Sequence, residues 1–246
     1  MNFAIIAAGE GSRLAQEGVE KPKPLVEIDG RPMIGRLLEI FSQAGGRRIV
    51  VCVNEFMPEV KAYLDTYRFE PRPDGSVPEL LIKVKTTPSS MHTMAEIATV
   101  MRGHGRWIAT TVDTIFRPSE FRAYVDAWEQ APGNVDVMMA VTDFVDDEKP
   151  LWITTAPGPT SGSLRITSFL DRAPENPEYI SGGIYGLSDP AIDVLEECLG
   201  KGLSRMRNYQ RALVEKGLDV EAFPMGKIID VDHAADIEVA NRFLNS

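Results

Sequence analysis

The chain opens with an apolar run, residues 2–8 with Asn2 at its head, that stops at Gly9. A run without polar alternation reads as a strand covered on both faces, because a strand with one wet face alternates with period two. Ile49–Val53 repeats that pattern, and Leu80–Val84 and Trp107–Val112 read as a third and a fourth strand. Between these runs the spacing changes to the helical period. Met33, Ile34, Leu37, Leu38 and Phe41 share one helical face, and Gly45-Gly46 marks its end. Pro58–Tyr67, Ser90–Met101 and Pro118–Trp128 read as further helices. Leu25–Ile28 predicts a short strand before a turn at Asp29-Gly30, and the polar, proline-containing residues 68–78 predict a surface loop. Strand and helix alternate throughout this stretch, which calls for right-handed crossovers and a mostly parallel sheet.

After residue 134 the texture changes. Val135–Val141, Leu151–Thr155, Leu164–Leu170 and Tyr179–Tyr185 read as strands, with a hairpin-like tip of Gly, Pro and Ser over 157–163. Helices return near 190–199 and 204–216. Short strands near Val220–Phe223 and Ile228–Val231 precede a last helix, Ala234–Leu244. The pattern predicts an α/β fold: a three-layer α/β/α sandwich on a Rossmann-like mixed, mainly parallel sheet. No linker or internal repeat divides residues 1–246, so one domain is expected.

Composition narrows the classes. The chain has 246 residues, enough to bury a core without staples, and is 43% hydrophobic and 25% charged. Its formal net charge of −10 argues against general nucleic-acid binding, which works by displacing counterions with basic surface. No apolar stretch reaches the roughly 18 residues of a membrane span. The start lacks the basic flank of a signal peptide, so a cytoplasmic protein without membrane partners is expected. Cys52 and Cys198 give no disulfide framework and read as reduced core thiols. His92, His104 and His233 are dispersed and show no zinc spacing.

The chemistry concentrates after the first strand, in Ala8-Gly9-Glu10-Gly11-Ser12-Arg13-Leu14. Glycines permit tight backbone geometry, so several N–H groups can face one anion. Arg13 adds a fork of donors suited to phosphate oxygens. Further on, Lys21-Pro22-Lys23-Pro24 carries two lysines on a proline-stiffened arm. A dinucleotide fingerprint fails because Leu14 stands where Gly or Ala is needed. The chain also lacks the G-x-x-x-x-G-K-[ST] of a P-loop.

These residues resemble the signature of the nucleoside-triphosphate-dependent nucleotidyltransferases that make nucleotide sugars and related activated compounds. That signature runs G-x-G-x-R-L and then, after a spacer, P-K-x-L. Gly9, Gly11, Arg13 and Leu14 match its first part, and Pro22, Lys23 and Leu25 its second. Many sugar-specific members carry Pro-Leu-Thr after the arginine, where this chain has Gln16-Glu17-Gly18. Val112-Asp113-Thr114-Ile115-Phe116 resembles the family's metal-aspartate segment without its glycine. Ser181-Gly182-Gly183-Ile184-Tyr185 resembles its substrate-contacting turn, and Asp230-Val231-Asp232-His233-Ala234-Ala235-Asp236-Ile237 its second metal segment.

The resemblance implies joining of an NTP to a phosphorylated small-molecule acceptor, with residues 1–134 binding the NTP and 135–246 the acceptor. It implies Mg²⁺ held by Asp113 with Asp230 or Asp232. Those two lie two apart, so on an extended strand they would share a face. Asp236 reads as a helix-start residue. Arg13 and Lys23 become the catalytic cations, with Arg13 on the triphosphate and Lys23 bridging the α-phosphate and the acceptor phosphate. Ala8, Gly9, Gly11, Ser12, Ser89 and Ser90 become nucleotide contacts, although Ser89 and Ser90 equally suit a helix cap. Lys21 either assists or is solvated. Ser181, Gly182 and Gly183 become acceptor contacts.

The expected acceptor is a sugar 1-phosphate. A phosphocholine-like or phosphonate acceptor is the alternative, and choline would ask for an aromatic cage such as Trp152, Tyr179 and Tyr185 could form. A non-catalytic binding protein on the same fold is the rival of another class, but it would be free to lose Arg13, Lys23 or the aspartates. Arg205, Arg207 and Arg211 read as a surface face, and the acidic run Asp143, Asp146, Asp147 and Glu148 as solvated. The sequence leaves the base and the oligomeric state open.

Overall fold

The computed structural model describes residues 1–246 apart from Asp146, Asp147 and Ser161. The expectation of solvation for Asp146 and Asp147, and the tip residue Ser161, lie outside the described residues. Asp143 and Glu148, from the same acidic run, are exposed.

The first half alternates as the pattern predicts. Strand β1 (Asn2–Ala7) leads through a short helix α1 (Ser12–Gln16), a 3₁₀ turn at Lys23–Leu25 and the small hairpin β2 (Glu27–Ile28) and β3 (Arg31–Pro32) into helix α2 (Met33–Gln43). Then come β4 (Arg48–Val53), α3 (Pro58–Thr66), β5 (Glu79–Val84), α4 (Ser90–Met101) and β6 (Trp107–Thr111). These strands lie in the order β5-β4-β1-β6, and every pairing among them is parallel. The chain moves outward from β1 on one side and returns beside it with β6. A switch point therefore opens at the carboxyl ends of β1 and β6, where open α/β sheets bind ligands.

β1 shows why the apolar runs are unbroken. Phe3, Ile5 and Ala7 enter one core with α2, α3 and α5 (Pro118–Gln130), whereas Ala4, Ile6 and Ala8 enter another with α4, α6 (Asp189–Gly200) and α7 (Met206–Glu215). Both faces of the strand are dry, so both must be apolar. Cys52 and Cys198 are buried free thiols, and burial pushes the Cys52 thiol up to about 11.

The second half departs from the expected layering. After the two-residue β7 (Thr114–Ile115) come β8 (Val137–Thr142), β9 (Trp152–Pro157), β10 (Leu164–Leu170), β11 (Tyr179–Leu187), β12 (Val220–Met225), β13 (Ile229–Asp230) and α8 (Ala234–Leu244). β11 joins the sheet antiparallel to β6, and the order continues β8-β12-β10-β9. β9 bonds to β10 and also back to β11, so these strands close into a ring. The α/β class is as expected. The open sandwich is not, because the sheet curls onto itself, and "mainly parallel" describes only the first half. In the ring, β8 and β12 pair in parallel and the other ladders are antiparallel.

A third, smaller core lies beside the switch point. Leu14, Val26, Ile28, Met33, Ile115, Ile229, Val231, Ala240 and Phe243 bring the glycine loop, the β2–β3 hairpin, the β7–β13 pair and α8 together. Segments far apart in sequence thereby meet at one edge of the sheet. No helix among the described residues is long and apolar enough to cross a membrane.

Gly186 marks a close approach of helix to sheet. A Cβ there would stand 2.9 Å from the Trp128 ring and 3.0 Å from the Tyr124 hydroxyl, which itself donates to the Met138 carbonyl at 2.7 Å. Gly186→Ala is therefore expected to cost about 1–3 kcal/mol, the usual scale of core overpacking. A lowered urea midpoint with an unchanged m-value would show it.

Candidate functional site

The glycine loop is shaped around Lys23. Gly11 has φ +62°, and a Cβ there would stand 2.7 Å from the Lys23 Cβ. Only glycine accepts both the left-handed backbone and the close approach. The loop is anchored from beneath by Asn54, 2% exposed, whose Nδ2 donates to the Ala8 carbonyl at 3.0 Å. Asn54 Oδ1 accepts from the Thr86 hydroxyl at 2.9 Å and from the Phe56 N–H at 3.0 Å. One buried amide thus joins the ends of β1, β4 and β5.

Lys23 then reaches across the switch point. Its Nζ lies 2.5 Å from Asp113 Oδ2 and 2.6 Å from Asp232 Oδ1. Arg13 Nη1 holds the other oxygen of Asp232 at 2.6 Å. Burial would push the Lys23 pKa down, but the two carboxylates outweigh it and hold the ammonium above its ordinary value. Burial would likewise raise Asp232, but Lys23 and Arg13 win and keep its carboxyl below the usual range. Arg13, Lys23, Asp113 and Asp232 are thus brought together.

Asp113 sits in the turn between β6 and β7, and its carbonyl accepts from the Val231 N–H at 3.1 Å. The two aspartates after β12 do not share an extended face, because the strand ends at Asp230 and Asp232 lies beyond it. Asp230 accepts from the Thr114 hydroxyl at 3.3 Å, and Thr111 and Thr114 hydroxyls meet at 2.6 Å. Asp232 turns instead toward Lys23. Asp236 caps α8 as expected, accepting from the Asp232 N–H at 3.0 Å and the His233 N–H at 2.7 Å. Among the described residues no three carboxylate, thiolate or imidazole groups form a metal cluster. Asp113 and Asp232 nevertheless converge on one cation, and two hard oxygen donors suit an ion that shares its shell with substrate phosphates.

Gln16-Glu17-Gly18 acquires a role here. Glu17 meets His233 Nδ1 at 2.6 Å and accepts from the Ala234 N–H at 2.7 Å, tying the loop to the segment that carries Asp232. This contact lowers the Glu17 pKa and raises that of His233. The sequence alone had given His233 no role.

Two hollows flank the cation–carboxylate cluster. Gly9, Gly11, Lys23, Ser90, Thr111 and Asp113 line the smaller one. A larger cleft of about 470 Å³ runs past Asp113, Asp230 and Asp232 to Ser181, Gly183, Tyr185, Gln210, Lys149 and the start of α7. Ser89 and Ser90 border it too, and Ser89 also caps α4, accepting from the His92 N–H at 3.4 Å. Gly183 has φ +73°, and a Cβ there would come within 3.0 Å of the Thr114 hydroxyl. β11 shifts register between Ser181 and Tyr185, a bulge that re-aims the strand at the cleft. Gly182 faces Ile228 and the Ala140 backbone, and borders a neighbouring hollow with Arg13 and Asp232. Ser12 begins α1 and borders another with Gly11, Arg13 and Lys23.

Some expected members stand elsewhere. Lys21 is exposed and pairs with Glu27 at 2.6 Å. Ala8 is buried and contributes its carbonyl to Asn54. Of the three candidate cage aromatics, Tyr185 lines the cleft but Trp152 and Tyr179 do not. Conversely, Arg205 and Arg207 border the cleft rather than forming a plain surface face. Arg207 and Arg211 both pair with Asp171, at 2.5 and 2.7 Å.

Residues 3–161 match the family described as the MobA-like NTP transferase domain. The chain belongs to that family. Glucose-1-phosphate cytidylyltransferase of Salmonella typhimurium is 23% identical over 80% of this chain and 78% of its own length. Mannose-1-phosphate guanyltransferase of Pichia angusta is 30% identical over 80% of this chain and 52% of its own. Among solved structures, apo UDP-glucose pyrophosphorylase superposes with a TM-score of 0.78 at 15% identity, covering 99% of this chain and 98% of that one. The inositol-1-phosphate CTP transferase from T. maritima superposes with a TM-score of 0.73 at 17% identity, covering 98% and 95%. At these identities the superpositions establish the fold.

The ion network sets a pH signature. A carboxyl depressed by Lys23 adds stability above its unfolded pKa of about 3.9, and that stability is lost as pH falls through the depressed folded value. An ammonium raised by its partners adds stability below about 10.4, lost as pH rises through the raised folded value. Lys23→Met is therefore expected to be less stable than the natural protein at pH 7, with the gap narrowing below about pH 4. Urea midpoints for both proteins at pH 7 and pH 3 measure it, and a gap equal at both would remove the ion pairing as its cause.

Proposed function

We propose that this protein is a cytoplasmic nucleotidyltransferase that joins an NTP to a sugar 1-phosphate, giving an NDP-sugar and pyrophosphate. The observation that carries the reading is the meeting of Arg13 and Lys23 with Asp113 and Asp232 at the switch point, between two hollows. Family membership supports the same reaction class. In this reading the first half holds the nucleotide and the second half the acceptor.

The acceptor phosphate oxygen attacks the α-phosphorus, the bond from that phosphorus to the β-phosphate oxygen breaks, and pyrophosphate leaves. The nucleophile is already an anion, so no strong base is needed. The barrier lies in bringing two anions together, and catalysis is then mostly positioning and positive charge. Arg13 follows the loop closely and grips the triphosphate. Lys23 stands between donor and acceptor, where charge crowds as they approach. Asp113 and Asp232 would hold Mg²⁺, which when bound supplies positive charge to phosphate oxygens. Asp230, on the cleft side, orients Thr114 and the β11 turn. Ser90 borders both hollows and suits a contact to base or ribose.

The acceptor cleft favours a polyhydroxylated phosphate. Lys149, Arg205 and Arg207 give it cationic groups, and Ser181, Ser204, Tyr185 and Gln210 give hydrogen-bonding ones. Choline would need several exposed aromatic faces. Here only Tyr185 is at hand, and it is 5% exposed.

A pyrophosphate-release screen of CTP, UTP, GTP, dTTP and ATP with Mg²⁺ tests the reading. The acceptors are glucose 1-phosphate, mannose 1-phosphate, inositol 1-phosphate and phosphocholine. Release with a sugar 1-phosphate is expected, and release with phosphocholine alone would overturn the acceptor assignment. Asp113→Asn should lower turnover about 10²-fold or more while leaving the circular dichroism spectrum unchanged. Lys23→Met should lower kcat about 10²–10³-fold with little change in NTP affinity by calorimetry. Arg13→Ala should weaken both, because it binds ground and transition states alike.

A further inference from the structure

Gln210 lies on the inward face of α7 and is 3% exposed, a depth that primary amides seldom reach. Its neighbours on that face, Tyr209 and Leu213, belong to the core. An apolar side chain of the same volume would fill the position without desolvating an amide, so the amide calls for a physical reason. Its Nε2 donates to Ser181 Oγ at 2.7 Å and approaches Met139 Sδ at 3.7 Å. Among the described residues no donor reaches its Oε1, and that oxygen is not sealed from solvent. Gln210 borders the larger cleft, together with Ser181 and Tyr185. Ser181 accepts from Gln210 and lies beside the hydroxyl of Tyr185, which also borders the cleft.

We propose that Gln210, with Ser181 and Tyr185, forms a buried relay that reads one hydroxyl of the acceptor and so sets acceptor specificity. The assignment rests on the nucleotidyltransferase reading above. Gln210 Oε1 accepts the substrate hydroxyl proton. The Gln210–Ser181 bond fixes the amide so that its oxygen, not its nitrogen, faces the cleft. Discrimination follows from burial. An acceptor lacking that hydroxyl leaves a desolvated amide oxygen without a donor, a loss felt far more than a missing contact in water. The Tyr185 phenol, beside Ser181 and bordering the cleft, is a donor at neutral pH.

The test is a cycle of variants against acceptor analogues. kcat/KM is measured for glucose 1-phosphate and mannose 1-phosphate and for their 2-, 3-, 4- and 6-deoxy analogues, with the natural protein, Gln210→Leu and Ser181→Ala. NTP affinity is followed by calorimetry and folding by thermal melts. The natural protein should discriminate against one deoxy position by about ten- to a hundredfold. Gln210→Leu should flatten the ratio at that position to within about twofold, leaving the ratios at other positions and the NTP affinity unchanged. Should Gln210→Leu fail to fold, Ser181→Ala carries the same expectation, because it frees the amide to rotate. A variant that loses the same factor on every acceptor overturns the specificity role and leaves a packing contact. A natural protein that turns over no sugar 1-phosphate overturns the functional reading itself, and that result is visible before any variant is made.

Discussion

Everything at the carboxyl edge of this sheet is arranged around one ammonium group. Lys23 is nearly buried, and burying an unpaired charge costs several kcal/mol. The chain meets that cost by bringing two carboxylates to it from segments remote in sequence. Gly11 must be glycine for the arm to pass, Asn54 must hold the loop from below, and the β7–β13 pair must deliver Asp113 and Asp232 together. Removing the lysine would leave two carboxylates facing each other, so the same contact organises the structure and concentrates charge where an anionic ligand would sit.

The small third core explains how so open a cluster keeps its geometry. Loops at a sheet edge are normally the mobile part of an α/β protein. Here Leu14, one residue after Arg13, is 1% exposed, and Val231, one residue before Asp232, is fully buried. Each charged side chain is flanked by an apolar anchor in the same core. The Glu17–His233 contact adds a polar tie between the same two segments.

Much of this was legible in the chain, for identifiable reasons. Strands dry on both faces leave short apolar runs bounded by turn residues, so β1, β4 and β6 stand out. Gly9, Gly11 and Arg13 stand out because they follow a buried strand directly and are followed by the Lys21–Pro24 arm. Asp113 follows a buried strand and inherits its location from it. The rest depends on contacts that periodicity does not encode. Asn54 and Gln210 are ordinary polar residues until burial makes their amides structural. The Asp230/Asp232 pair looked like alternate residues of one strand, but the strand ends between them. Ring closure was invisible because β9–β11 pairing adds no residue pattern beyond that of any strand. For Lys21 the pattern leaves assistance and solvation open, and the turn of the chain at Pro22 and Pro24 sends it to solvent while Lys23 turns inward.

That ring gives the two halves of the cleft different mechanical characters. A strand at the free edge of a sheet can peel away, and β5 is such an edge. β9, bonded to both β10 and β11, has no open side along those ladders. The ring strand β11 that lines the larger cleft thus belongs to a hoop, in which a strand displaced at one point must carry its neighbours around the circle. Ligands of different size cannot be accommodated by spreading that hoop. They must be met by groups that line the cleft from outside the ring, Lys149 and the first turn of α7. Change of substrate in evolution or by design should therefore concentrate there, on a rim that can be rewritten without loosening the hoop beneath it.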